Sequence, residues 1–137
     1  MAENQINNKS LSIRVCSNGL SFCTYAPGQK APFEYKVWEV NHTISLAANL
    51  KEALMNEPML KQDYQRVNVL ITTPHFTTVP VAAFQKEDIH AVYQFTFPKD
   101  KPQHVSYNVL RRAGIAIVFG LERSIHQLLL DDFPRAR

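Results

Sequence analysis

Residues 11–25 read LSIRVCSNGLSFCTY, and the fold follows from how that stretch doubles back. Leu11, Ile13 and Val15 alternate with Ser12, Arg14 and Cys16, and after Asn18-Gly19 the residues Leu20, Phe22 and Thr24 alternate with Ser21, Cys23 and Tyr25. Alternation at period two marks a half-buried strand. Asn-Gly between two such runs marks a hairpin, because both residues of a tight turn must take φ > 0, which glycine accepts freely and asparagine at small cost. With Asn18-Gly19 as the turn, Cys16 faces Ser21 and Cys23 faces Arg14. The cysteines are then diagonal neighbours ~7–8 Å apart, too far for a relaxed disulfide, and two reduced thiols are expected.

Working outward, residues 26–32 form a loop, since two prolines and a glycine forbid a continued ladder. A third strand follows over 33–40, with Phe33, Tyr35 and Val37 on an apolar face and Glu34, Lys36 and Trp38 on a mixed one. Asn41 or Thr43 can cap a helix that runs to about residue 56, with Leu46, Leu50, Ala53 and Leu54 at helical spacing. Pro58 opens a short second turn, and RVNVLIT, residues 66–72, reads as a buried strand parallel to one of the first three. The order so far is βββαβ, an α/β fold with a mixed sheet. Residues 76–79 resume an extended course, Pro80 introduces a segment with Phe84, Ile89, Val92 and Tyr93 on a helical face, and 97–102 is a polar loop. A later hairpin over 104–120 and an amphipathic helix over 122–132 close the chain. Ile13, Val15, Phe22, Val37, Leu50, Leu54, Val69, Ile71, Ile117 and Leu128 are the expected core. Residues 1–10 and 135–137 are read as tails and 11–134 as one lobe.

A chain of 137 residues, 45% hydrophobic and 20% charged with four glycines, lies in the ordinary globular range and can bury a sizeable core. The net charge of +3 is small, and its excess lies wholly in residues 61–137. Nucleic-acid binding would rest on Lys99, Lys101, Arg111, Arg112, Arg135 and Arg137 with Phe97 and Tyr107 beside them. An Arg-Arg pair in a hairpin turn is ordinarily solvated, so that partner is not expected. No run of about 18 apolar residues and no signal-peptide order occurs, so a cytoplasmic protein without membrane insertion is expected.

The five histidines, His42, His75, His90, His104 and His126, stand singly, without the paired close spacings that converge on a metal, and no metal ligand is named among them. Cys16 and Cys23 lie inside strands rather than at a helix N-terminus beside a base, which suits small core residues better than nucleophiles. No GxSxG, Walker A, GxGxxG or HExxH pattern is present. No catalytic residue is assigned.

The hairpin LSIRVCSNGLSFCTY, the run VNVLITTPHFTTVPVAAF and the later VSYNVLRRAGIAIVFGLERSIHQLLLDDFP together resemble a family of uncharacterised bacterial proteins, a domain of unknown function with an actin-like ATPase (RNase H-like) fold akin to the pilus-assembly protein PilM. The resemblance covers about residues 10–134, and members are about twice as long, so it implies an N-terminal lobe alone. In active actin-like ATPases the first hairpin turn carries an Asp-x-Gly pattern whose amides wrap phosphate and whose carboxylate orients water on Mg²⁺. The matching residues here are Ser17, Asn18 and Gly19. The resemblance makes them a degenerate phosphate turn, since a neutral hydroxyl stands where the carboxylate would be. No cofactor is expected of this lobe by itself; ATP and Mg²⁺ would come only with a second lobe. Three readings follow: a non-catalytic interaction or scaffolding domain, a nucleotide-binding or ATPase regulator that needs a second lobe, and a small α/β adapter unrelated to actin-like proteins. A protein partner or second lobe is expected, with Ile125, Leu128 and Leu129 of the closing helix as the interface and a homodimer as the simplest closed form.

Overall fold

The structure, a computed structural model, describes residues 8–16, 18–100 and 104–136. Among the described residues, seven strands and three α-helices follow the order β1 (Ser10–Cys16), β2 (Gly19–Tyr25), β3 (Phe33–Trp38), α1 (Leu46–Asn56), β4 (Arg66–Thr72), β5 (Phe76–Pro80), α2 (Ile89–Thr96), β6 (His104–Leu110), β7 (Ile115–Leu121) and α3 (Arg123–Asp132). The expected βββαβ opening is present, and so are the later hairpin and the closing helix. The chain divides into two compact units, one of the described residues up to Thr72 and from Gln127 on, the other Thr73–His126.

In the first unit the strand order is β3-β2-β1-β4. β2 runs antiparallel to both β1 and β3, and β4 runs parallel to β1 from Ser10↔Arg66 to Cys16↔Thr72. β1 starts at Ser10, one residue inside the expected tail, and the Lys9 carbonyl accepts from Gln65 N at 2.8 Å. One sheet face is made by Leu11, Ile13 and Val15 on β1 with Leu20, Phe22 and Thr24 on β2, all buried. Leu50, Ala53 and Leu54 of α1 are buried too, with Met59 and Leu60 of the 3₁₀ turn Pro58–Lys61, the polar Asn49 and Glu57, and Leu129.

The hairpin register corrects the expected turn. Cys16 pairs with Gly19 and Val15 with Leu20, so Gly19 belongs to β2 and not to the turn, and it has no positive φ. Alternation could not separate the two registers, because both keep the apolar sets of the strands on one face. The observed one sets Val15 against Leu20 and Ile13 against Phe22, whereas the other would leave Leu20 opposite Ser17. Cys23 then stands opposite Ser12, and both thiols are free.

β3 is the second correction. Its apolar residues Phe33, Tyr35 and Val37 are 65%, 63% and 62% exposed, although Val37 was expected in the core. Lys36 pairs with Phe22 and Trp38 with Leu20, which turns the mixed face inward. Lys36 Nζ lies 2.7 Å from Glu57 Oε2, so an ion pair with the end of α1 compensates a charged side chain on that face. Val69 and Ile71 are half-buried rather than buried, because β4 is the other edge of the sheet. The cap of α1 is Ser45, whose side chain accepts from Ala48 N at 3.0 Å. Asn41 serves elsewhere: its Oδ1 accepts from Thr43 N, while its own backbone is clamped by the buried Asn49.

In the second unit β7 lies between β5 and β6, antiparallel to both. Arg111–Gly114 is the expected turn, and Gly114, at φ 72°, supplies the left-handed residue. Ile89 and Tyr93 of α2 form a buried cluster with Val105 of β6 and Val118 of β7. On β7 the small residues Ala116, Val118 and Gly120 are buried while Ile117 is half-buried, contrary to the expected core. Bulk marks hydrophobicity, but close packing under a helix selects small side chains. A Cβ on Gly120 would lie 2.4 Å from Tyr93 Oη.

Candidate functional site

The hairpin turn is the first candidate. The single S–H of Cys16 has two acceptors in reach, Asn18 Oδ1 at 3.2 Å and Gly19 O at 3.3 Å. Gly19 is the first residue of β2, and a Cβ there would meet only Cys16 Sγ at 4.0 Å. Neither a left-handed backbone nor a close approach demands glycine at that position. Ser17 lies outside the described residues.

A cleft of about 840 Å³ lies in the first unit, lined by residues 60–67 and 132–136. The parallel pairing of β1 and β4 places Arg66 beside Ser10, at the end of the sheet away from the turn, roughly 20 Å along a seven-residue strand. Asp63 and Asp132 share the cleft with Lys61, Arg66 and Arg135. Its mixed charge is unlike a phosphate cradle, and it is not the site that the turn residues would build.

Two titratable groupings occur in the second unit. Tyr93 donates to Asp100 Oδ2 at 2.5 Å, and His75 Nδ1 lies 3.0 Å from the same oxygen. Burial, with the Asp100 carboxylate next, pushes the Tyr93 phenol well above its ordinary range. His104 and His126 stack at 3.6 Å with ring planes 12° apart. Burial, then His126, His90 and Arg123, lowers the pKa of His104 from 6.5. The sequence spaced these histidines singly, and the β6–β7–α3 succession brings two together. Among the described residues no group of three or more His, Cys, Asp or Glu side chains could hold a metal ion.

The fourth candidate is a surface. β3 pairing places Phe33, Tyr35 and Val37 beside Tyr25, Cys23 and Ser21 on the sheet face opposite the buried one, and the Tyr25 and Phe33 rings lie 4.7 Å apart. Of the expected interface residues, Ile125 and Leu129 are 3% and 5% exposed and Leu128 is half-buried. The helix neighbour that is open is Leu130, at 44%. Sequence alternation had pointed to the right apolar stripe on β3 but assigned its Val37 to the core.

The family model described as "Protein of unknown function (DUF3822)" matches residues 1–137. The chain belongs to the DUF3822 family. A solved structure described as a protein with actin-like ATPase fold and unknown function, from Bacteroides thetaiotaomicron VPI-5482, is similar to this family member at 30% identity with a TM-score of 0.84. The match covers 96% of this chain and 51% of that one, so the chain spans about half the length of that solved protein. No curated protein matches it. The DUF3822 chain therefore has an actin-like ATPase fold, and among its described residues no helix is long and apolar enough to cross a membrane.

Proposed function

We propose that this DUF3822 chain is a non-catalytic protein-interaction or scaffolding lobe, a degenerate relative of the PilM-like, RNase H-like ATPases that acts in the cytoplasm. The observation that carries the reading is the open apolar stripe of Phe33, Tyr35, Val37 and Tyr25, each at least 39% exposed, since contiguous apolar surface of this kind marks an interaction site. Ser17, Asn18 and Gly19 support it from the other side. They stand where the resemblance puts a phosphate turn, without a carboxylate for a Mg²⁺-bound water, and Gly19 lacks a left-handed backbone. The solved relative's extra length leaves room for a second lobe as the partner. On the closing helix, Leu128 is half-buried and Leu130 is exposed.

The rival, a nucleotide-dependent regulator, differs in a measurable way. Phosphate release from Mg²⁺-ATP should be at background both for the parent chain and for Ser17→Asp, since one carboxylate restores a metal contact but neither a group that positions the attacking water nor a facing lobe. Steady Mg²⁺-dependent turnover by either protein would overturn the reading.

A further inference from the structure

β3 is an edge strand, at the end of the order β3-β2-β1-β4. Its sequence is FEYKVW, six residues without proline or glycine. Open edges that are long, regular and apolar are what natural proteins blunt or cover, because their free amides and carbonyls template another strand. Five of the six β3 residues are exposed. The strand carries one negative and one positive side chain, both on the face shared with Phe22 and Thr24.

Those two charges select the occupant. Any antiparallel register of β3 against a second β3 that is centred on a residue keeps Phe33, Tyr35 and Val37 on one face, but only those centred on Tyr35 and Lys36 pair five residues of each strand; those centred on Glu34 and Val37 pair three, and the Val37-centred one leaves Glu34 without a cross-strand partner. Centring the pair on Glu34 sets two carboxylates opposite each other, and centring it on Lys36 sets two ammonium groups opposite. Centring it on Tyr35 sets Glu34 against Lys36 twice, with Phe33 against Val37 and Tyr35 against Tyr35. Like charges directly opposite are destabilising and unlike charges stabilising. A one-residue slip to an intermediate register would turn the stripes to opposite faces.

We propose that two copies of this chain associate through antiparallel β3–β3 pairing in the Tyr35-centred register, which joins their four-stranded sheets into one of eight strands. The apolar stripes of both copies become continuous across the junction, and each Lys36 lies between its own Glu57 and the partner's Glu34. This deepens the interaction reading and rests on it. The self-complementary partner differs from the closing-helix dimer expected from sequence, because it uses side chains that are open rather than buried.

Sedimentation across a concentration series tests the pairing. The parent should approach the mass of two chains, and Glu34→Lys should dissociate at least roughly tenfold more readily, because both cross-strand pairs become repulsive. Lys36→Glu alone should be weakened likewise, and mixing the two variants should restore a dimer containing one of each. If Lys36→Glu fails to fold, amide hydrogen exchange of the parent decides in its place: protection at residues 33–38 should rise with protein concentration. A parent that stays at one-chain mass at the highest concentration overturns the pairing, as does a dimer indifferent to Glu34→Lys, a mixture of folded variants that stays monomeric, or β3 amides whose exchange ignores concentration. None of these results touches nucleotide turnover, so failure of the pairing and failure of the interaction reading are told apart.

Discussion

Tyr93 lies under Gly120 with its hydroxyl on Asp100, so both its ring and its hydroxyl are held. Gly120→Ala must push the ring aside, since its Cβ would come within 2.6 Å of Tyr93 Cζ as well as the hydroxyl. A loss of about 1–3 kcal/mol is expected in denaturant unfolding, in the range for overpacking. Tyr93→Phe should cost about 1.5–3 kcal/mol through the lost bond to a carboxylate. The same unfolding assay should find the double variant less destabilised than the sum, because the substitutions share one contact. In the first unit Asn49, 1% exposed, accepts from Asn41 N at 2.8 Å and donates to the Asn41 and Ser45 carbonyls. Asn49→Leu should cost about 1–3 kcal/mol by stranding that backbone. Tyr93 was legible in sequence as part of an apolar helical face, though not as a core residue. Its partner was not, because Asp100 stands in Phe97-Pro98-Lys99-Asp100-Lys101-Pro102, a stretch whose composition reads as solvated loop. Asn49 was equally hidden, since a polar residue among Leu46, Leu50 and Ala53 gives no hint of which carbonyls it will meet.

At the scale of elements, α1 is the clearest case of pattern becoming structure: Leu50, Ala53 and Leu54 recur at helical spacing and all three are buried. Leu50→Ala should cost about 2–5 kcal/mol, read from the denaturant midpoint at unchanged slope. A variant that unfolds with the parent would mean that the helix buries another face. Strand identity was also legible, since β4 and β6 have the expected bounds and β4 is parallel as expected. The facing of β3 was not. Sequence gives the apolar stripe of a strand, but which stripe turns inward depends on register with a neighbour, here Lys36 beside Phe22. Lys36 and the Glu57 it pairs with are 21 residues apart in sequence, beyond the reach of any local pattern. The hairpin turn failed for a related reason, because two registers satisfy the same alternation and only the cross-strand pairs Val15–Leu20 and Ile13–Phe22 choose between them.

Across the whole molecule, acid should act on both units with the same sign. The Lys36 hydrogen bond is the largest influence on Glu57 and holds its carboxyl below 4.5, so the stability it contributes is present above that pH and lost as pH falls through the lowered value. His104, lowered from 6.5 chiefly by burial, binds its proton more readily when unfolded. Its contribution is therefore complete above about pH 6.5 and lost on acidification. Thermal unfolding from pH 8 to 4 should show a decline beginning near pH 6.5, which His104→Gln flattens, and a further decline below 4.5, which Glu57→Gln flattens. The fold class and the likeness to actin-like ATPases were legible because they rest on element order and hairpin pattern. Function was not, since the turn at residues 17–19 informs chiefly by the carboxylate it lacks and the open β3 stripe emerges only from register. The central claim, that this lobe works by binding protein and not nucleotide, is tested most directly by titrating the purified chain with ATP and Mg²⁺ while following thermal unfolding. The account predicts no shift up to millimolar ATP. A saturable stabilisation, ~2.7 kcal/mol at a hundred times the Kd, would contradict it.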